Sequence, residues 1–282
     1  MLPRRVAIIG LGLMGGSLGL ALRATTPDTR VAGCDERAAR EALAREAVTE
    51  LFDSPSALPD GTDLVVLAVP PRAAASLIPA LDAPLPDGAL VMDLSSVMLP
   101  SVAASLETTH LADRFVPAHP LAGSEAAGIA AARADLYVGA PVLIGRPLES
   151  DSPGGRAAAF WSALGARPAS IAPALHDALV ALTSHLPYAA SVALVRTLRR
   201  TGSMTVALAE TAGPGLRDTT RVAGSPPALW AEILSLNGPK LLPALELLER
   251  EVRALRHAIE EGGPSLRARL EEARAFREEI AR

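Results

Sequence analysis

The sequence has very little cysteine, lysine or aromatic side chain, and each shortage excludes a class of chemistry. Cys34 is the only cysteine among 282 residues, so the chain forms no internal disulfide and no zinc site built from cysteines. Lys240 is the only lysine, which excludes a phosphate-binding P-loop lysine and argues against a Schiff-base enzyme. Aromatic residues make up 3% and the net charge is −4, which argues against a nucleic-acid partner.

Apolar residues are plentiful, at 49%, and a chain of this length forms one large domain or two smaller ones. Arg4 and Arg5 precede an apolar stretch, 6–22, that resembles a twin-arginine or secretory signal. Five glycines interrupt this stretch, and spans this short are more often buried core. We therefore expect a soluble, cytoplasmic protein with no membrane partner and no metal site.

The first 170 residues alternate short β-branched runs with Ala-rich helical stretches such as 13–24, 38–46 and 72–81. The runs are apolar throughout, which indicates strands buried on both faces of a mostly parallel sheet with helices on each side. The predicted strands are 6–9, 30–34, 64–69, 89–94, 115–118, 142–144 and 168–171.

The strand pattern disappears after Pro173, and helices are predicted over 176–200, 203–212 and 226–236. A helical hairpin follows, interrupted at 262–264, and its apolar stripe is either an ordinary core face or a dimer interface. Its members are Leu241, Leu245, Leu248, Val252, Leu255, Ile259, Leu266, Leu270, Ala273 and Ile280. The predicted fold is an α/β domain (1–172) with a mostly parallel sheet, followed by an all-α domain (173–282). The stretch 149–155 is the most linker-like part of the chain.

A glycine-rich turn follows the first predicted strand and opens a helix. Gly10 allows the tight turn, Gly12 lets the backbone approach a pyrophosphate, and Gly15 lets helix and strand pack closely. The backbone amides at the start of the helix, around Leu13 and Met14, then face the diphosphate charge. This context makes the turn a dinucleotide site rather than a bare tight turn.

Asp35 selects the cofactor, because it lies at the end of the second strand, twenty residues after Gly15. A carboxylate there accepts hydrogen bonds from the ribose hydroxyls but repels a 2′-phosphate. Glu36 adds to that repulsion, whereas Arg37 could soften it. NAD is therefore favoured over NADP.

Candidate catalytic residues follow the strands that come later. His119 comes after the fifth predicted strand and Ser96 after the fourth, so both are expected at the carboxyl edge of the sheet, where such folds bind ligands. The alternative is that His119 only caps a helix or fills the interface. His185, inside a helix, is by itself more typical of a structural histidine. Arg217 and Arg221 lie four residues apart and would share a helix face as a carboxylate clamp or as ordinary surface charge.

Five segments together resemble the prephenate/arogenate dehydrogenase family, and the resemblance runs from Val6 to about Asn237. They are GLGLMGGSLGLAL, DLSSV, HPLAGSEAAG, SHLPYAAS and GLRDTTRVAGSPPALWAEILSLN. The resemblance implies a Rossmann-type domain, a helical domain through which the protein forms a homodimer, and the NAD(P)-dependent oxidative decarboxylation that leads to tyrosine.

The resemblance also implies roles for individual residues. His119 matches the catalytic histidine that hydrogen-bonds the substrate hydroxyl, Ser96 the serine that positions both, and Arg221 an arginine that binds a substrate carboxylate. Residues matching gating or pocket positions are Glu125, Asp218, His185 and Trp230. Two positions depart from the family pattern: Met98 replaces a frequent lysine, and Tyr188 stands where some members have a second histidine.

Three alternatives to prephenate dehydrogenase remain at this stage. The substrate could be arogenate, a related cyclohexadienyl compound. The chain could be a β-hydroxyacid dehydrogenase or imine reductase, although those enzymes use a lysine in the helical domain and Lys240 lies outside any matching motif. It could also bind NAD without catalysis and use the hairpin for assembly.

Overall fold

The fold is known from a computed structural model that describes residues 2–123, 126–200 and 205–280. In this part of the chain eight strands form one sheet in the order β3-β2-β1-β4-β5-β6-β7-β8. The strands are Arg5–Ile9 (β1), Arg30–Cys34 (β2), Glu50–Leu51 (β3), Leu64–Leu67 (β4), Leu90–Asp93 (β5), Phe115–Pro120 (β6), Pro141–Ile144 (β7) and Arg167–Ser170 (β8).

The sheet is parallel except where β6 meets β7, which run antiparallel. The order 3-2-1-4-5-6 in its first six strands is that of dinucleotide-binding domains. Five helices belong to this domain: Leu13–Thr25 (α1), Ala39–Ala44 (α2), Pro71–Leu81 (α3), Leu99–Leu106 (α4) and Pro153–Ala163 (α5). The predicted α/β domain with a mostly parallel sheet is confirmed.

Both faces of the sheet are covered, which explains why its strands are apolar at every position. One face, with Ile8, Met92 and Val116, packs under α1 and α5. The other face, with Val65 and Phe115, packs under α3 and α4. Alternating side chains along each strand therefore enter two separate cores.

The second domain is all helical, as predicted. Its helices are Pro173–Val180 (α6), Leu186–Arg200 (α7), Thr205–Thr211 (α8), Pro214–Thr220 (α9), Pro227–Leu236 (α10), Gly238–Glu261 (α11) and Gly263–Ile280 (α12). Helices α11 and α12 form the expected hairpin, since α11 ends at Glu261 and the chain has positive φ at Gly262 and Gly263.

Several local predictions were wrong. The short strand β3 was not predicted. The linker-like stretch 149–155 contains the start of α5 at Pro153, and β8 follows it, in agreement with a domain boundary placed near 172. The helix predicted over 176–200 contains a π-turn, Ala181–His185, between α6 and α7. His119 lies inside β6 rather than after it, because β6 continues to Pro120 by pairing with β7.

Among the described helices one segment, Pro173–Arg200, is long and apolar enough by length and composition to cross a membrane. Core helices of soluble domains pass the same test. This segment carries His176, Asp177 and His185, which are almost fully buried and hydrogen-bonded to other parts of the protein. Of its most apolar 18-residue window, 28% is buried within the single chain.

Candidate active site

The glycine turn between β1 and α1 has the geometry that a dinucleotide requires. Gly10 has a φ of +93°, a conformation that disfavours other residues, and a Cβ at Gly15 would lie 1.8 Å from the carbonyl oxygen of Gly10. A Cβ at Gly12 would meet nothing within 4 Å, so space lies open at the helix N-terminus. No side chain caps α1, and its first amides, including those of Leu13 and Met14, are available to an anion.

Asp35 lies directly after β2 and contacts the glycine turn. Its carboxylate accepts hydrogen bonds from the backbone N–H groups of Leu11 at 2.8 Å, Arg37 at 2.8 Å and Ala38 at 2.7 Å. Although partial burial opposes ionisation, these three bonds lower the pKa of Asp35. The group is therefore a permanent anion beside the turn, and the residues present fit the adenosine half of NAD.

His119 projects from β6 and is joined to the helical domain through a second histidine. Its Nδ1 lies 2.9 Å from Nε2 of His176 on α6, and the two rings meet edge to face. The His119 ring is half-buried. Burial, followed by the nearby His176 and His185, lowers the pKa of His119, so its imidazole is neutral at pH 7.

A buried carboxylate completes this contact. Asp177 Oδ1 lies 2.8 Å from Nδ1 of His176, and neither side chain is exposed. The same carboxylate accepts the backbone N–H groups of Met98 at 2.8 Å and Leu99 at 3.0 Å, at the start of α4. Asp177 therefore binds a histidine of its own domain and a helix N-terminus of the nucleotide-binding domain.

The arrangement fixes which nitrogens carry protons when both imidazoles are neutral. Because an ionised carboxylate only accepts, His176 donates from Nδ1 to Asp177, and its Nε2 accepts from Nδ1 of His119. Nε2 of His119 is then left with a lone pair. We call His119, His176 and Asp177 the histidine relay.

Sequence reasoning missed His176 and Asp177. The available signal was an adjacent imidazole and carboxylate near the start of an otherwise apolar helix, two groups that are rarely buried unless they are paired. Asn237 was noted only as part of a motif. Its Nδ2 donates to the backbone carbonyl of Asp177 at 2.8 Å and lies 3.1 Å from Nδ1 of His185.

The structure brings His185 and Trp230 into contact. The His185 ring stands edge-on to Trp230 with the ring centres 6.0 Å apart, and Tyr188 stacks on the same indole at 3.7 Å. Burial lowers the pKa of His185, an effect that His176 reinforces and Asp177 opposes. The relay thus continues through Asn237 to an aromatic wall in the helical domain.

The remaining predicted site residues within the described ranges lie on the turn after β5, on α9 and on the 3-10 turn that follows α9. Ser96 is half-buried on the turn between β5 and α4, at the carboxyl edge next to β6. Arg217 and Asp218 are exposed on α9, and that helix ends at Thr220, so Arg221 begins the following 3-10 turn rather than sharing the helix with Arg217. Glu125 lies outside the described residues.

Within the described ranges no group of three or more His, Cys, Asp or Glu side chains is arranged to hold a metal ion. The carboxyl edge of the sheet carries a neutral imidazole supported by a carboxylate, and the dinucleotide turn lies at the same edge. That combination suits removal of a proton from a hydroxyl while a hydride leaves the carbon that bears it.

Comparison with known proteins identifies the family. The nucleotide-binding domain of prephenate dehydrogenase matches residues 18–168, and its dimerization domain matches residues 172–272. A cyclohexadienyl dehydrogenase of Zymomonas mobilis is 33% identical over 91% of this chain and 88% of its own.

Solved structures agree with these matches. Prephenate dehydrogenase of Aquifex aeolicus, in complex with hydroxyphenyl propionate and NAD+, has a TM-score of 0.87 and 29% identity, covering 99% of both chains. Arogenate dehydrogenase of Synechocystis has a TM-score of 0.76 and 28% identity over 98% of this chain and 99% of its own. The chain therefore belongs to the prephenate dehydrogenase family of NAD-dependent oxidoreductases.

Proposed function

We propose that this protein catalyses the NAD-dependent oxidative decarboxylation of prephenate to 4-hydroxyphenylpyruvate, in the cytoplasm and as a homodimer formed by the helical domain. The observation that carries the proposal is the histidine relay, which gives the carboxyl edge of a dinucleotide-binding sheet a neutral base with a defined free nitrogen. Residues 1–172 would bind NAD, and residues 173–282 would bind substrate and a second copy.

His119 acts as the general base in this proposal. NAD, when bound, would supply the hydride acceptor for the ring carbon that bears the hydroxyl. Nε2 of His119 takes the hydroxyl proton as that oxygen becomes carbonyl-like. Loss of carbon dioxide then makes the ring aromatic with a phenolate oxygen, to which His119 returns the proton. The imidazolium form of His119 donates from Nδ1 to His176, whose own Nδ1–H stays hydrogen-bonded to the Asp177 carboxylate.

Other residues would orient the substrate. Ser96 would hydrogen-bond the substrate hydroxyl beside His119, and Arg221 would bind a substrate carboxylate from the helical domain. Neutral His185 and the ring of Trp230 would form the wall of the pocket. The remaining proposed contacts are Arg217, Asp218 and Glu125.

The cofactor preference follows from Asp35 and the turn residues. The carboxylate is held beside Leu11 by a 2.8 Å hydrogen bond, so a 2′-phosphate there would meet a fixed negative charge. Gly10, Gly12 and Gly15, with the amides of Leu13 and Met14, would hold the pyrophosphate. NADP is therefore disfavoured relative to NAD.

The test is the rate of NADH or NADPH formation, measured by absorbance with prephenate and with arogenate, each paired with NAD and NADP. The proposal expects the highest kcat/KM with prephenate and NAD. A preference for arogenate, the substrate named for the Synechocystis relative, would correct the substrate and leave the base in place. Turnover of neither compound, with NAD still bound, would reject the proposed activity.

A further inference from the structure

Asp93 is a buried carboxylate at the edge of the sheet that the proposed mechanism does not use. It is the last residue of β5 and is 1% exposed. Its strand position pairs with Pro117 on β6, two residues before His119. Since side chains alternate along a strand, Asp93, Pro117 and His119 point to the same face of the sheet. Asp93 therefore lies beneath the same part of the site as the base.

One carboxylate oxygen of Asp93 holds the turn that follows β5. Oδ1 accepts the backbone N–H of Ser95 at 3.1 Å and the hydroxyl of Ser95 at 2.7 Å. Ser95 is itself buried and directly precedes Ser96. These two bonds fix the direction in which the chain leaves the strand, and with it the direction of the Ser96 side chain.

The other carboxylate oxygen does not hold the turn. Oδ2 of Asp93 is buried without a hydrogen-bond partner among the described residues, and so is the hydroxyl of Ser101 on α4. Burial raises the pKa of Asp93 to about 6, while the hydrogen bonds from the hydroxyl and N–H of Ser95 oppose the rise. The carboxyl group is thus kept in a place where its charge is costly, and such a cost is characteristic of functional sites.

The far end of the same turn is held by a second buried carboxylate. Asp177 accepts the N–H groups of Met98 and Leu99. The titratable residues of α6 at this segment are Asp177 and its hydrogen-bonded neighbour His176. The short stretch 95–97 is therefore fixed at one end by the sheet domain and at the other by the helical domain.

We infer that Asp93 is a positioning residue for the reaction, which holds the turn 95–97 so that Ser96 meets the substrate hydroxyl beside His119. The inference rests on the proposed function, in which Ser96 contacts that hydroxyl. It assigns to Asp93 no contact with substrate or cofactor.

The experiment compares Asp93→Ala with Asp93→Asn. The amide oxygen of asparagine can still accept from Ser95, and its NH₂ group can donate to Ser101. We expect Asp93→Ala to lower kcat about 10- to 100-fold, consistent with the loss of two buried hydrogen bonds, with little change in the KM for NAD. Asp93→Asn should restore kcat to within about threefold of wild type, because it keeps both acceptor bonds.

Asp82→Ala is the matched control. Asp82 likewise holds a turn by accepting two backbone N–H groups, those of Thr109 at 3.0 Å and His110 at 2.9 Å, but it does so outside the proposed site. Its kcat should stay near the wild-type value. If Asp93→Ala behaves like this control, or if Asp93→Asn is as impaired as Asp93→Ala, the inference is wrong.

A double-mutant cycle with Ser96→Ala shows whether Asp93 acts through Ser96. The double variant should turn over no more slowly than Ser96→Ala alone, whereas additive losses would contradict the inference. If Asp93→Ala does not fold, Ser95→Ala, which removes only the 2.7 Å bond, replaces it in the cycle.

Amide hydrogen exchange provides a test that does not depend on activity. The amides of 95–97 should exchange faster in Asp93→Ala than in wild type and should be protected again in Asp93→Asn. Unchanged exchange would overturn the inference even in an active enzyme. A wild-type protein that turns over neither substrate would reject the proposed function, and exchange would still decide whether Asp93 holds the turn.

Discussion

A neutral histidine at the edge of a sheet is an effective general base only if one of its ring nitrogens has a lone pair that is free to accept a proton. In this protein the ring nitrogens of His119 are oriented by two fully buried residues. His176 occupies Nδ1 of His119, and Asp177 fixes the proton on His176. The histidine relay resembles a catalytic carboxylate–histidine pair in which a second imidazole, that of His176, lies between the carboxylate and the histidine.

Replacing His119 by Asn should separate catalysis from cofactor binding. We expect kcat to fall about 10²- to 10⁴-fold, the usual contribution of a general base, because asparagine cannot take the hydroxyl proton. The dissociation constant of NAD, measured by fluorescence titration, should hardly change, since the glycine turn and Asp35 are intact. Unchanged turnover would remove His119 from the mechanism.

The charge on Asp93 should make the stability of the protein depend on pH. Its pKa is raised to about 6 in the folded state, above the unfolded value of about 3.9, so the folded state holds the proton more tightly. The resulting stabilisation is complete below about pH 4 and is lost as the pH rises through about 6. Relative to Asp93→Asn, which cannot titrate, wild type should lose on the order of 2–3 kcal/mol between pH 4 and pH 8.

Urea unfolding of both proteins across this range measures the difference. Asp113→Asn, which removes an exposed carboxylate from the same domain, serves as the control and should follow wild type. A difference between wild type and Asp93→Asn that is constant with pH would show that Asp93 does not titrate there.

Individual residues were predictable where their partners are close in sequence or the motif is local. Gly10, Gly15 and Asp35 were found because a strand–turn–helix pattern requires them. His176 and Asp177 were missed because their partners come from folding: His119 lies 57 positions before His176, and Met98 lies 79 before Asp177. A single sequence does not show which face of a helix meets which strand.

Among the elements, the π-turn between α6 and α7 has the clearest effect on the site. An extra residue in a helical turn rotates everything that follows, and such turns occur often at functional sites. Here the turn ends at His185, which is buried against Asn237 and Trp230, whereas His176 lies before it. The turn thus sets the angle between the two histidines.

Deleting Ser184, an exposed residue of this turn, should restore a regular helix and rotate α7 by about 100° relative to α6. Contacts of His176 and His185 could then no longer form together, and we expect kcat/KM to fall at least about 100-fold, as for other small misplacements of catalytic groups. Helix content by circular dichroism should not change. Ser184→Ala is the control, and a deletion variant as active as this control would contradict the role of the turn.

The periodicity of the sequence predicted most elements but not this irregularity. The apolar side chains of 176–200 fit a single helical repeat. One inserted residue shifts that repeat by less than the spacing of these side chains already varies along the helix. The strand β3 was missed since it has only two residues, Glu50 and Leu51. The helix α5 was missed because Gly154 and Gly155 follow Pro153, although Ser152 accepts the N–H of Gly155 as an N-cap.

At the scale of the whole molecule, two contacts between the domains are made at α3 and α4, neighbouring helices on the same face of the sheet. Asp177 caps α4, and Glu232 on α10 accepts the backbone N–H of Arg72, at the start of α3, at 2.5 Å. Each contact places a carboxylate of the helical domain at a helix N-terminus of the nucleotide-binding domain, where negative charge is favourable.

The hairpin of α11 and α12 leaves a large apolar surface uncovered in the single chain. Val252 and Ile259 on α11 are 59% and 60% exposed. Most large apolar side chains of α12, including Phe276, are exposed as well. We expect Val252→Glu with Ile259→Glu to convert the proposed homodimer to a monomer, because each buried carboxylate would be strongly unfavourable at such an interface. Light scattering after gel filtration measures the mass.

Arg253→Glu is the matched control, since it introduces the same charge on the same helix but replaces a polar residue. It should leave the mass unchanged. A double variant that keeps the mass of wild type would place the dimer interface elsewhere in the helical domain.

Nucleotide-binding domains recur with many unrelated partner domains, because they hold their cofactor without assistance. Asp177 makes the nucleotide-binding domain of this protein dependent on its own helical domain. The tautomer of His119 and the N-terminus of α4 both depend on a side chain that lies beyond the last strand. A chimaera that joined the first 172 residues to a foreign helical domain would keep its affinity for NAD and the His119 imidazole, but would lose the two residues that fix its tautomer, unless the graft also carried residues 173–177.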